Sequence, residues 1–116
     1  MRLTIPLAPS INHCYYYKGG KRIRTKKARD YEENVIAQLM DNDYKFPDKE
    51  KIICDMWFFF PDNRRRDTHN TLKIMLDSIE RGGLYTDDRY VLPRVIDWVV
   101  DRENPRVELN FYLKEV

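Results

Sequence analysis

One stretch, Ile52–Phe60, constrains the fold of this chain more than any other. It is the most apolar run in the 116-residue sequence, it is rich in Ile, Trp and Phe, and only Asp55 interrupts it. Its length and content predict a strand at the centre of a sheet, with both faces buried. Pro61 follows directly and ends it. The rest of the chain is expected to pack around this strand.

Alternation and helical periodicity predict five further elements. In chain order they are a strand at 2–7, a helix at about 26–42, a second helix from 67 to the glycines at 82 and 83, and strands at 91–100 and 106–113. The segment 101–105 is expected to join the last two strands as a hairpin loop. The order indicates one α+β domain over residues 1–116, with a small mixed sheet of about four strands and both helices packed on it.

Charge is distributed unevenly along the chain. The net charge is only +2, yet residues 18–29 contain seven basic residues and no acidic one. Three tyrosines, Tyr15 to Tyr17, precede this run, and Lys18-Gly19-Gly20-Lys21 predicts a turn in a small hairpin or a flexible basic loop. Such a segment is often a solvated face. Interleaved aromatic and basic side chains also favour contact with nucleic acid, because cations hold the backbone and rings stack on unpaired bases.

A second basic cluster precedes an aspartate that is expected to open the second helix. Arginines 64–66 run directly into Asp67, and helical spacing places Asn70, Lys73 and Asp77 on one face. A further acidic pair follows the glycines, at positions 87 and 88. Carboxylates that hold a divalent cation beside cations that neutralise phosphate are the requirements of phosphodiester chemistry.

The order Arg-Arg-Arg-Asp-x-x-Asn-x-x-Lys, then a short helix, a Gly-rich end and Asp-Asp, resembles the signature of the RusA-type Holliday-junction resolvases. The stretch 5–12, with its Pro-x-x-Pro-Ser-x-Asn pattern, resembles the opening of the same family. The resemblance spans nearly the whole chain. It implies a homodimeric, magnesium-dependent endonuclease that cuts four-way or branched DNA symmetrically in recombination and repair. Because the sequence has no apolar run of transmembrane length, no membrane partner is expected.

The resemblance assigns roles by position. Asp67 and Asp88 match metal-binding catalytic carboxylates, Asp87 neighbours the second of these, and Lys73 matches a catalytic lysine. Together with the basic loop, the pattern predicts a set of DNA-binding residues: Arg64, Arg65, Arg66, Asn70, Asn12, Tyr15, Tyr16, Lys21, Arg22, Arg24, Lys26 and Lys27.

Each of these residues also has a structural interpretation. Asp67 could simply cap the helix, since Asp is a favoured N-cap residue. Asp87 and Asp88 could form an acidic turn, and a lone helical lysine such as Lys73 is normally solvated. The family pattern favours the functional interpretation of Asp67, Asp88 and Lys73, and it leaves both interpretations of Asp87 open.

His69 departs from the family pattern, because many members carry Asp at this position. If residues 67–69 are extended, the side chains of Asp67 and His69 point to the same side and both can reach a metal ion. Imidazole is a softer ligand than carboxylate, so this exchange makes Mn²⁺ an alternative to Mg²⁺. His69 could instead act as a general base, or lie on the surface of a site that has lost activity. All three roles stay open.

Two cysteines, Cys14 and Cys54, in a chain without an export signal or an apolar run of transmembrane length favour a reduced cytoplasmic setting. Their spacing with His13 and His69 fits no zinc-finger pattern, so a zinc site is not expected. Two other functions remain: a junction-binding protein whose catalysis is weakened by His69, and a small metal-dependent ribonuclease.

Overall fold

The computed structural model describes residues 1–115, so the domain predicted over 1–116 extends one residue beyond them. Six strands and two α-helices make up the fold. In chain order they are β1 (Arg2–Ile5), β2 (Tyr15–Lys18), β3 (Lys21–Arg24), α1 (Lys26–Leu39), β4 (Ile52–Phe60), α2 (Leu72–Arg81), β5 (Val91–Val100) and β6 (Arg106–Leu113). The predicted α+β class and the order of the main elements are confirmed.

The apolar strand β4 lies inside a four-stranded mixed sheet with the order β1-β6-β4-β5. It runs antiparallel to β6 and parallel to β5, so its central position is confirmed. The prediction that both faces of β4 are buried is wrong. Met56 and Phe58 point into the core, whereas Trp57 and Phe59 on the opposite face are only half-buried. The helices cover one face of the sheet, and the other face is open.

The polar interruption of β4 has partners on that open face. Asp55 accepts hydrogen bonds from Arg94 Nε and from the Tyr112 hydroxyl, both at 2.8 Å. The Arg94 contact is the main reason that the pKa of Asp55 lies below its usual range. A carboxylate is tolerated in the central strand because neighbouring strands satisfy it.

The predicted hairpin between β5 and β6 is wrong. Both strands pair with β4, one on each side of it, and not with each other. Segment 101–105 therefore crosses the end of β4, where the amide of Asp101 donates to the carbonyl of Phe60 at 2.7 Å. Alternation identified the two strands, but it contains no information about which strands pair.

The two helices are shorter than predicted, and α2 starts later. Thr25 caps α1, accepting from the amide of Ala28. A 3₁₀ turn over His69–Thr71 precedes α2, so the α-helix begins at Leu72 and not at Asp67. The predicted left-handed stop is confirmed at Gly83, with φ of 92°. The Leu39 side chain lies directly against Gly82, which brings the end of α1 onto the end of α2.

Strands β2 and β3 form a separate two-stranded sheet, so the hairpin alternative for the basic loop is confirmed. A buried carboxylate fixes this hairpin to both helices. Glu32 on α1 forms ion pairs with Arg24 of β3 and with Arg81 of α2. A two-stranded hairpin is only marginally stable alone, so these ion pairs set its position on the domain.

The apolar faces of the sheet and helices share one core. Buried members come from β1, β4, β6 and both helices, among them Ile5, Val35, Met56, Ile79 and Phe111. Among the described residues, no helix combines the length and the apolarity that crossing a membrane requires.

Candidate metal centre and nucleic-acid interface

One face of α2 carries a lysine and two carboxylates. Lys73, Asp77 and Glu80 are spaced by four and three residues, which aligns their side chains along the helix. The Lys73 Nζ atom lies 2.9 Å from Asp77 Oδ1 and 3.8 Å from Asp88 Oδ2. The hydrogen bond to Asp77 is the main reason that the pKa of Lys73 is raised. Lys73 is therefore held as a cation between carboxylates of the helix and of the following loop.

The loop after α2 completes an acidic cluster. Asp87 caps a 3₁₀ turn over Asp88–Tyr90 by accepting from the Arg89 amide. The amide of Asp88 donates to Glu80 Oε1 at 2.6 Å, which fixes the loop on the helix. Ligand atoms of Glu80, Asp87 and Asp88 all lie within 4.8 Å of one another. These three residues are called the acid group below.

A hydrogen bond between the carboxyls of Asp77 and Asp88 shifts their pKa values in opposite directions. The pKa of Asp88 is raised from 3.8 to about 6, first because its side chain hydrogen-bonds to Asp77, and then because it is partly buried. Burial would raise the pKa of Asp77, but hydrogen bonds to Asp88 and Lys73 lower it. The two carboxyls therefore retain a proton at a pH where isolated aspartates have lost theirs.

The acid group fits a hard divalent cation. All three residues offer carboxylate oxygens, the ligand type that Mg²⁺ and Mn²⁺ prefer. A cation bound there would also neutralise the negative charge that Asp77 and Glu80 place beside Asp88.

Asp67 and His69 lie together but are not members of the acid group. Thr68 has helical backbone angles, so the segment 67–69 is a turn and is not extended as one prediction required. The turn brings the two side chains together nevertheless, with His69 Nδ1 3.5 Å from Asp67 Oδ1. Asp67 also accepts from the His69 amide at 2.9 Å. The carboxylate thus has the local structural role that a capping residue would have, while its side chain remains 56% exposed.

The three arginines before Asp67 have different environments. Arg66 forms a 2.5 Å ion pair with Asp62 and lies over the ring of Phe60, and its side chain is only 23% exposed. Arg64 is 80% exposed and makes a longer contact with Asp62, at 3.4 Å, and Arg65 is exposed. Arg64 and Arg65 are therefore available to a ligand, whereas Arg66 stabilises the loop that follows β4 through its ion pair with Asp62.

The basic hairpin lies next to the α2 face. Tyr15 and Arg24 line a small cleft together with Asp77 and Arg81. Further out, Tyr16 and Tyr17 are 45% and 76% exposed. The remaining predicted contacts are also on the surface: Asn12, Lys21, Arg22, Lys26 and Lys27 are exposed, although Lys26 is paired with Asp30. The hairpin thus presents rings and cations beside the carboxylates.

Sequence reasoning missed Glu80 as a member of the acid group. The signal was present, because Glu80 follows the recognised Lys73 by seven residues and Asp77 by three, which is one helix face. Asp88 and Asp87, which were predicted, are brought together with it.

An α+β domain that gathers carboxylates, a lysine and a basic aromatic hairpin on one surface has the make-up of a nucleic-acid-processing enzyme. The family described as Endodeoxyribonuclease RusA matches residues 5–112. The crossover junction endodeoxyribonuclease rusA of Enterobacteria phage 82 is 31% identical over 113 residues, which cover 93% of this chain and 90% of the relative. RusA of Escherichia coli strain K12 matches equally well, and that of E. coli O139:H28 is 30% identical over 94 residues. The chain belongs to the RusA endodeoxyribonuclease family.

Proposed function

We propose that this chain is an endodeoxyribonuclease that resolves four-way DNA junctions by metal-dependent hydrolysis of paired phosphodiester bonds. The observation that carries the proposal is the acid group, crowded against Lys73 at the edge of the basic hairpin. The names of the relatives supply the substrate class, because they act as crossover junction endodeoxyribonucleases. Those relatives come from enteric bacteria and a phage, so we expect the enzyme to act in the cytoplasm.

Glu80, Asp87 and Asp88 would hold a divalent cation, Mg²⁺ or Mn²⁺. Asp67 and His69 form a separate pair of donors, so two cations, one at each set, are favoured over a single ion that all five residues share. When bound, a divalent cation supplies Lewis-acid activation of the scissile phosphate and of the attacking water. The imidazole of His69 is the donor that makes Mn²⁺ an effective replacement for Mg²⁺ in the second set.

The protein's own groups position the phosphate and stabilise its charge. Water attacks phosphorus in line and releases a proton to solvent. The bond between phosphorus and the 3′ oxygen breaks, and that oxygen takes up a proton from solvent to leave as the 3′-hydroxyl. Lys73 stabilises the charge that develops on the phosphate oxygens, because its ammonium is already held beside the carboxylates. Arg64 and Arg65, which are exposed, hold the flanking backbone.

Binding of DNA is assigned to the hairpin β2–β3. Its cations Lys21 and Arg22 contact backbone phosphates, and Tyr16 stacks on bases that are unpaired at the branch point. Tyr17 was not in the predicted set of DNA-binding residues. It is the more exposed of the two rings, at 76%, and is assigned the same role.

Symmetric cutting requires two active sites, and β5 offers the surface for a homodimer. Within residues 1–115, β5 pairs with β4 only, so its outer edge is unpaired. Leu92, Ile96, Trp98 and Val99 along it are 36–55% exposed. A free apolar edge of this length pairs with an identical edge around a two-fold axis, and this removes both edges from solvent.

Sedimentation equilibrium tests the dimer. We expect a mass of twice 14.1 kDa for the native chain and a monomer for Ile96→Glu, because the charge would be buried at the interface. A native monomer at micromolar concentration, both alone and with junction DNA, would contradict this arrangement.

Junction cleavage by purified protein, with Mg²⁺ or Mn²⁺, tests the activity. The native chain should cut a synthetic four-way junction into two ligatable duplexes. Asp67→Asn and Asp88→Asn should abolish cutting and leave gel-shift binding unchanged, while Asp43→Asn, an exposed aspartate outside the site, should behave as the native chain. Full activity of Asp88→Asn would refute the metal role of the acid group.

The role of His69 can be separated from that of the carboxylates. His69→Asp should hold or raise the activity in Mg²⁺ and reduce the advantage of Mn²⁺, since it restores an oxygen donor. A total loss of activity would identify His69 as a general base instead.

The comparisons do not favour the two alternative functions. A weakened junction-binding protein would bind four-way DNA and leave it uncut in both metals. A ribonuclease would cut structured RNA and spare junction DNA in the same assay.

A further inference from the structure

Asp77 contacts both the lysine of the site and the acid group, but the proposed reaction gives it no role. It lies on α2 four residues after Lys73, and its Oδ1 atom accepts a hydrogen bond from Lys73 Nζ at 2.9 Å. Its carboxyl also hydrogen-bonds to that of Asp88, although Asp77 is not itself a member of the acid group. Asp77 therefore lies where the cation that stabilises the phosphate meets a proposed metal ligand.

The Asp77 side chain is partly enclosed by protein. It lines a cleft between the hairpin and α2, together with Tyr15 of β2 and with Ile74 and Arg81 of α2. Only 27% of the side chain is exposed. A carboxylate that its neighbours enclose in this way has little freedom to turn, so it can fix the position of a flexible partner such as Lys73.

A second lysine–aspartate pair in the same chain shows what this enclosure adds. Lys26 and Asp30 on α1 have the same spacing of four residues and nearly the same separation, 2.8 Å, but the Asp30 side chain is 57% exposed. Water and salt screen an exposed pair, so such pairs do little to hold a side chain in place. The pair of Lys73 with Asp77 is less exposed at both ends, and it is therefore the better anchor.

Lys73 has few other groups to hold it. Its side chain is a flexible four-carbon chain, and within residues 1–115 its ion pairs are with Asp77 and Asp88 only. The separation of 3.8 Å from Asp88 Oδ2 is too long for a hydrogen bond. Without Asp77, Asp88 would be the remaining carboxylate partner, and the ammonium would then pair with oxygens that a divalent cation needs.

We propose that Asp77 is a positioning residue for Lys73, which fixes the ammonium beside the scissile phosphate and keeps it off Asp88. This role rests on the proposed function, in which the ammonium stabilises charge on the phosphate oxygens. A preorganised charge loses much of its effect when it is displaced by about 1 Å. Loss of the Asp77 carboxylate should therefore lower the cleavage rate by about 10- to 100-fold. It should not weaken junction binding, because a carboxylate offers the DNA backbone no attraction.

A double-mutant cycle tests this role. Single-turnover cleavage of a four-way junction is measured at saturating Mg²⁺ for the native chain, Asp77→Ala, Lys73→Gln and the double variant. If Asp77 acts through Lys73, the double variant should be no slower than Lys73→Gln alone, within about twofold. A metal ligand, or a residue that only supports the fold, would act independently of the lysine, and the two losses would multiply.

Two further variants supply a rescue and a matched control. Asp77→Asn keeps an oxygen that can accept from the Lys73 ammonium, so its loss of rate should be smaller than that of Asp77→Ala. Asp30→Ala breaks the exposed pair with Lys26 and should leave the cleavage rate at the native value. Alanine is favoured in helices, and the thermal transition shows whether Asp77→Ala folds. If it does not, Asp77→Ser takes its place in the cycle.

The outcomes separate the role of Asp77 from the proposed function. A native chain that does not cut junctions overturns the proposed function, and the role of Asp77 with it. A native chain that cuts, together with an Asp77→Ala variant of native rate, overturns the role of Asp77 alone. The same holds if the losses of the single variants multiply in the double variant, or if Asp77→Ala loses junction affinity as much as rate.

Discussion

The hydrogen-bonded carboxyls of Asp77 and Asp88 predict that the metal-free protein is destabilised by its own active site. The pKa of Asp88 is raised, so the folded state holds this proton more tightly than the unfolded chain does. The stabilisation from that proton is present below pH 3.8 and is lost as the pH rises through about 6. Asp88→Asn keeps a hydrogen-bonding group at this position but carries no charge, so it removes the repulsion.

The magnitude follows from the size of the shift. A change of pKa from 3.8 to about 6, at about 1.4 kcal/mol for each pH unit, corresponds to about 3 kcal/mol. The lowered pKa of Asp77 offsets part of this. We therefore expect Asp88→Asn to stabilise the metal-free protein by about 1–2 kcal/mol above pH 7. For a domain of this size that is a rise in Tm of roughly 4–8 °C.

Thermal unfolding in EDTA, followed by circular dichroism from pH 4 to pH 8, measures this effect. The Tm difference between Asp88→Asn and the native chain should be small at pH 4 and should grow until about pH 7. The exposed Asp43→Asn should show no such trend. Added Mg²⁺ should raise the Tm of the native chain and leave that of Asp88→Asn unchanged. A variant that is less stable than the native chain at pH 8 without metal would refute the reasoning.

Three further substitutions test other parts of the site. Lys73→Gln should lower the cleavage rate by about 10²–10³-fold, as removal of a preorganised charge does, with junction affinity unchanged in a gel shift. An equal loss of cleavage rate and of junction affinity would assign Lys73 to binding. Tyr17→Ala should weaken junction binding by about 1–3 kcal/mol, the contribution of one stacked base, without lowering Tm; unchanged affinity would exclude stacking by this ring. Glu32→Gln should lower both Tm and junction affinity, because the hairpin loses its ion pairs to α1 and α2. The exposed Glu33→Gln should change neither quantity. Native affinity of Glu32→Gln would show that the hairpin is held by other contacts.

The elements of this fold were predictable where one periodicity dominated. The apolar run of β4 and the alternation of β5 and β6 identified strands whose bounds agree with the structure. The pairing of β5 was not predictable, since alternation is the same for a parallel and an antiparallel partner. The partial exposure of one face of β4 was also not predicted, because Trp57 and Phe59 on that face are as apolar as the residues that face the core.

The candidate site was predictable as chemistry and less so as geometry. The sequence pattern selected Lys73, Asp87 and Asp88, which the structure brings together. It did not predict that Asp67 would lie outside the acid group, because the local turn at Thr68 depends on backbone angles that no motif encodes. Glu80 was missed since it is one of many acidic residues, and only its helix face distinguishes it.

The parallel pairing of β4 and β5 has a consequence for folding. The connection between these strands, residues 61–90, contains the arginines, α2 and the acid group. Parallel strands must close a long crossover before they can pair, and such distant contacts form slowly. Nuclease competence is therefore expected to arise late during refolding, after most of the helical signal has already recovered.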